Sequence, residues 1–201
     1  MKSSLITSYT EQLTEQFRLM ILSGEFEPGQ RLREIPLADQ FGISRGPIRD
    51  TFLQLTREGL LVAKPNAGVR VAEPPSLFKR KTLVALRRKL EGDCLKEALR
   101  QNPRELLAQL TENMTRYYIA CQKEDLEEVV KIDMAFHRII VSGADDSSLL
   151  TTWVPLISQM FLKYSRHHSL IESYQEHAGI LEALNDQDAA LAARLLREHI
   201  V

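Results

Sequence analysis

Apolar residues recur at helical spacing near the start of the chain. Tyr9, Leu13, Phe17, Met20 and Ile21 share one face and predict a helix over about Thr7–Ser23, stopped by Gly24 and then Pro28-Gly29. A second, short helix is expected over Glu34–Phe41, with Ile35, Ala38 and Phe41 inward, and Gly42 breaks it. A third starts at Ser44, turns Ile48, Phe52 and Leu55 inward, and ends at Glu58-Gly59. Two helices around a turn this short read as a helix-turn-helix. Leu61–Lys64 and Val69–Ala72 flank Pro65-Asn66-Ala67-Gly68 and predict a β-hairpin. Residues 1–73 therefore read as a winged helix-turn-helix module.

Glu73-Pro74-Pro75-Ser76 breaks the pattern, because consecutive prolines stay extended. We place the linker at 74–76. From 77 to 201 the periodicity is helical throughout. The expected helices are Leu77–Gln101, Pro103–Cys121, Leu126–Val141, Ser148–His167, Ile171–Asn185 and Gln187–Ile200, divided at Asn102-Pro103, at Gly143 and at Asp186 as an N-cap. The expected fold is mainly α: the winged module followed by an all-helical bundle.

Charge adds to this picture only locally. The formal net charge is -1, so a nucleic-acid interface must rest on placement. The third helix supplies it. Ser44 stands at its N-cap, Pro47 in its first turn, and Arg45 and Arg49 lie one turn apart on a single face. A guanidinium fork there suits guanine O6 and N7 in a major groove. The alternative is a pair of solvated arginines. Acids at Glu34, Asp39 and Glu58 must face away if DNA binds. Lys79-Arg80-Lys81 reads as a solvated basic patch. Cys94 and Cys121 match no metal or redox spacing and are expected to be reduced. No signal peptide and no membrane span is evident, so a cytoplasmic protein is expected.

The helical half carries polar residues on apolar stripes. Asp133 and His137 lie among Leu126, Val130 and Ile140; His177 heads Ile180, Leu181 and Leu184; His199 closes Ala192 and Leu195. One Asp and three His converging inside a bundle suit a divalent metal with open positions. The alternative is four hydrogen-bonded or surface residues. His167 and His168 are adjacent and read as surface residues.

The run Arg31-Leu32, then Leu37 through Arg49, then Leu55 and Glu58-Gly59-Leu60, continuing to Pro65-Asn66-Ala67-Gly68 and Val71, resembles the GntR family of bacterial transcription regulators. The resemblance implies that Arg45 and Arg49 of the Ser-Arg-x-Pro-x-Arg motif read an operator beside Ser44. It also implies that the wing, with Asn66 and Gly68, approaches the DNA. Gly46 stands where the family usually has Thr, and Ala67 where many members have Arg. The second half resembles the FCD domain of the FadR-like branch, on Asp133-Met134-Ala135-Phe136-His137, Glu176-His177, Ile180-Leu181, Ala183-Leu184, Ala189-Ala190 and His199-Ile200. In metal-binding members that Asp and three His hold zinc or nickel. Arg87 through Glu91 resembles the signature of the domain's first helix and implies an effector-facing Arg87. Asp146 stands where the family commonly has Asn.

The expected function is a metabolite-responsive regulator, a repressor that binds a palindromic operator as a homodimer and answers a small carboxylate at a zinc-type site. Two alternatives stay open: a metal-sensing regulator, and a metal-dependent hydrolase using the same Asp and His set.

Overall fold

Three aromatic rings close around Phe17, and this contact fixes the first module. Phe17 is fully buried, with its ring centroid 5.8 Å from Phe26, 5.1 Å from Phe41 and 6.1 Å from Phe52. The computed structural model describes residues 9–64, 68–162 and 169–201. Phe17 lies on α1 (Tyr9–Leu22), Phe41 on α2 (Glu34–Phe41) and Phe52 on α3 (Arg45–Arg57). Gly42 joins α2 to α3 at φ 64°, where its amide meets the Ala38 and Asp39 carbonyls. An L side chain is strained in that conformation, so glycine suits the turn.

A small sheet completes the module. β2 (Leu61–Lys64) and β3 (Gly68–Val71) pair antiparallel, with Leu61 opposite Val71. A strand not expected from the pattern, β1 (Arg31–Leu32), pairs with the free side of β3 and sets Arg31 opposite Arg70. Two residues are too few for an alternation to be read. Ile35 departs from expectation: it is 56% exposed, and Leu37 is buried instead.

The second half is helical across its described residues: α4 (Leu77–Gln101), α5 (Pro103–Gln122), α6 (Leu126–Ser142), α7 (Ser147–Phe161), α8 (Leu170–Asn185) and α9 (Ala189–His199). Each starts on a side-chain cap. Ser76, Asn102, Asp125, Asp146, Ser169 and Asp188 accept from the amides of Lys79, Glu105, Glu128, Ser148, Glu172 and Leu191. Such a cap satisfies one orphan donor of the first turn. The expected cap at Asp186 is corrected: Asp186 closes α8, and Asp188 opens α9. Three residues, Asp186, Gln187 and Asp188, join the two helices, and Gln187 in the middle takes φ 60°.

The α6 helix runs through the middle, packed by α4, α5 and α7, while α8 joins α5 and α9. It also receives α1 of the first module. Cys94 and Cys121 are free and buried. Arg80 leaves the basic patch and donates to the Val201 carbonyl at 3.2 Å. The end of the helix expected over Ser148–His167, with His167 and His168, lies outside the described residues.

Candidate functional site

The two candidate surfaces differ in burial. On the first module, Arg45 and Arg49 are exposed at the start of α3, while Ile48, Phe52 and Leu55 on its other side are buried. Ser44 has N-cap backbone geometry but makes no side-chain cap bond, so its expected capping role is not used. Glu34 does not face away from this surface. Its Oε2 pairs with Arg45 Nη2 at 3.0 Å, because the start of α2 lies beside the start of α3. Glu58, in contrast, is buried against Arg18.

Gly68 opens β3 at φ 77°, and a Cβ there would come within 3.4 Å of Arg31 Nε. Arg31, Arg33, Glu34, Arg45 and Gly68 line one groove. Arg31, on β1, and Arg33, at the N-cap of α2, were given no role from the sequence because they reach this groove only through the pairing of β1 with β3. Asn66 lies outside the described residues.

The second surface is internal. Asp133 and His137 on α6, His177 on α8 and His199 at the end of α9 converge, with one ligand atom from each within 4.8 Å of the others. Asp133, His137 and His177 are fully buried and His199 nearly so. His137 Nε2 lies 3.6 Å and His177 Nε2 3.8 Å from Asp133 Oδ1, and His137 Nε2 lies 3.1 Å from His199 Nε2. Ligands about 2.1 Å from a shared ion stand roughly 3–4 Å apart, so the spacing fits a metal.

The outer partners aim these atoms. His137 Nδ1 donates to Glu91 Oε2, His199 Nδ1 to Glu176 Oε2 and His177 Nδ1 to the Ser173 carbonyl, each at 2.7 Å. Each of these contacts engages Nδ1, which leaves Nε2 of each ring to turn inward. Asp133 Oδ2 accepts from Tyr117 at 3.2 Å and from Ser173 at 3.4 Å, which turns Oδ1 toward the rings. Burial, reinforced by the Arg87 charge, holds His137 below its usual range against the pull of Glu91. The Nε2 atoms of His137 and His199 face each other across the space between the four side chains.

Arg87 is buried, and its Nε donates to Glu91 Oε1 at 2.7 Å. Trp153 donates to the same oxygen at 2.7 Å. Burial favours the neutral form of Glu91, but Arg87 and His137 outweigh it and keep the carboxyl far below its usual range. Arg87 Nη2 is buried and finds no acceptor among the described residues. Sequence reasoning gave no role to Tyr117, Trp153 or Ser173, and left Glu91 as part of a signature. One signal was present: Ser173 stands one turn before His177, and Glu91 one turn after Arg87.

Comparison with known proteins matches residues 9–71 to the bacterial regulatory proteins of the gntR family and residues 82–201 to the FCD domain. The chain belongs to the GntR family. Among its relatives is the Nta operon transcriptional regulator of Aminobacter aminovorans, 32% identical over 189 residues, which cover 90% of this chain and 86% of the relative. The probable D-xylose utilization operon transcriptional repressor of Paenarthrobacter nicotinovorans is 26% identical over 200 residues, covering 96% of this chain and 86% of that one. The structure of E. coli McbR/YncC has the same fold, with a TM-score of 0.83 at 22% identity over 97% of this chain and 94% of that one. This GntR protein is thus a transcription regulator whose two modules imply DNA binding and small-molecule effector binding. Its families and relatives are regulators, not enzymes, which sets the hydrolase reading aside. No described helix is long and apolar enough to cross a membrane.

Proposed function

We propose that this GntR regulator is a cytoplasmic repressor that binds a palindromic operator as a homodimer and is controlled by a small carboxylate at a divalent metal site. The observation that carries the reading is the inward set of three imidazole Nε2 atoms and one carboxylate oxygen from Asp133, His137, His177 and His199. Imidazole with a single carboxylate suits zinc or nickel. A bound ion supplies positive charge toward an anionic ligand. Arg87 adds the second anchor, because its buried Nη2 still has a donor to offer. A carboxylate matches both a hard cation and a guanidinium edge.

Arg45 and Arg49 read base edges in this proposal, with Ser44, Asn66 and Gly68 placed against the backbone. Arg31 and Arg33 extend that surface. The two-fold symmetry follows from the small reach of one recognition helix. Phe78 is 82% and Leu86 52% exposed on α4, an apolar surface that a second copy would cover.

The test is operator affinity with and without a panel of small organic acids, in wild type, Arg87→Ala and His137→Ala. Both variants should bind DNA and lose most of the acid response. An effector that acts equally on all three proteins refutes the site. The burial of all four ligands favours one rival, in which the ion itself is the signal. In that case organic acids leave DNA affinity unchanged in the metal-loaded wild type.

A further inference from the structure

The helix α7 touches both the buried site and the recognition helix. Its inner face meets the Arg87–Glu91 pair twice. Trp153 donates to Glu91 at 2.7 Å, and the Phe161 ring lies 5.7 Å from Arg87 Cζ. The two contacts are about two turns apart, so the length of α7 takes its register from the pair that holds His137. Its other face carries Gln159. Gln159 Nε2 donates to the Glu58 carbonyl at 3.1 Å, where Glu58 closes α3.

Gly59 makes this contact possible. It has φ 78°, and a Cβ there would stand 2.9 Å from both Cδ and Nε2 of Gln159. The Glu58 side chain is held as well, by Arg18 at 2.8 and 2.9 Å and by Gln54 of α3 at 2.9 Å. A shift of the Glu58 carbonyl therefore moves α3 rather than a loose end. Pro155 sits inside α7 between Trp153 and Gln159. It removes one helical hydrogen bond, so α7 bends there most readily. A second route runs through α1, which packs on both α6 and α7, but its ion pair is weak. Arg138, beside His137, approaches Glu15 of α1 only to 3.9 Å, with both side chains about two-fifths exposed at 42% and 40%. Solvent screens that pair.

We propose that Gln159 is the positioning residue through which the buried site sets the pose of α3, and hence of Arg45 and Arg49. The inference rests on the reading of Asp133, His137, His177 and His199 as a metal site. A change in the Arg87–Glu91–His137 cluster displaces Trp153 and Phe161, α7 pivots at Pro155, and Gln159 carries the motion to Glu58. Coupling of this kind needs two arrangements of α7 that differ in affinity for the ion and for DNA.

The experiment uses the full-length chain, zinc as the metal, and a duplex selected by the wild-type protein from a random pool. Metal stoichiometry and DNA Kd are measured in chelator-stripped and zinc-loaded protein, for wild type, Gln159→Ala and Gln159→Glu. In wild type, zinc should shift the DNA Kd by roughly fivefold or more, the usual scale of site coupling. In both variants the ratio of stripped to loaded Kd should fall to within about twofold of one, while zinc stoichiometry and the DNA affinity of one state stay near wild type. Glutamate keeps the length of the side chain and loses the donor, so it separates the hydrogen bond from packing. A wild-type ratio in either variant overturns the inference and leaves the metal reading intact. So does a zinc-loaded wild type whose DNA affinity equals that of the stripped protein. A chain that takes up no zinc after loading fails at the metal reading itself, and the inference falls with it.

Discussion

Replacing Glu58 by alanine should be among the more damaging single changes in the first module. Glu58 is 3% exposed and its partner Arg18 5% exposed. The carboxylate takes two hydrogen bonds from Arg18, at 2.9 and 2.8 Å, and one from Gln54 at 2.9 Å. Removing one member of a buried ion pair costs about 3–5 kcal/mol, because the other charge stays buried. Here Arg18 retains Glu15, which is 40% exposed and forms a wetter, weaker pair. The expected cost therefore lies near the lower end, about 3 kcal/mol. For a chain of this size that corresponds to a drop in Tm of roughly 6–12 °C. The double variant Arg18→Met with Glu58→Met removes both charges and should recover much of the loss, since apolar replacements of buried pairs are often neutral. Urea and thermal denaturation followed by far-UV circular dichroism measure both. A Glu58→Ala variant within about 1 kcal/mol of wild type, the worth of an ordinary exposed pair, would refute this account of the junction between α1 and α3.

Arg49→Ala should weaken specific DNA binding by about 1–3 kcal/mol and relax sequence preference; competition with scrambled duplexes measures both effects. Purified protein should carry about one divalent ion per chain, and His177→Ala should lose it on dialysis, because one of four ligands is gone. Elemental analysis with no metal after loading would sink the site. Cys94 should be inert to thiol reagents at pH 8 in the folded protein, since burial first, then Glu91 and Asp93, push its thiol up to about 11. A raised thiol pKa means that the unfolded chain loses this proton first. The linked stability is therefore complete below the ordinary thiol range and declines as pH rises from there toward 11, which denaturant titrations at several pH values would follow.

The helices could be read from the sequence because their apolar stripes are local. The same is true of Asp133, His137, His177 and His199, each of which stands where an apolar residue is expected. Their outer partners could not be read this way. Tyr117 reaches Asp133 across two helices, and Trp153 reaches Glu91 from α7, so neither contact has a sequence spacing. Arg87 was visible as a cation on α4, but its engagement with Glu91 only partly so, since an exposed pair has the same spacing. Glu34 was expected to avoid the recognition surface because an acid repels phosphate. The observed pairing with Arg45 arises from how α2 and α3 meet, which no one-dimensional pattern encodes. The caps followed the same divide: Asp186 and Asp188 are both suitable, and only the path of the chain chooses between them.

Trp153 is the chain's single tryptophan, and it is fully buried with its indole N–H on Glu91. Ultraviolet emission from this protein therefore comes chiefly from one ring, and that ring touches the carboxylate that aims His137. Indole emission responds to nearby charge and to the polarity of its hydrogen-bond partner. Any ligand that redistributes charge across Arg87, Glu91 and His137 acts on the chromophore at contact distance. The fold thus contains its own optical probe, placed where occupancy of the interior can be followed without a label and without DNA.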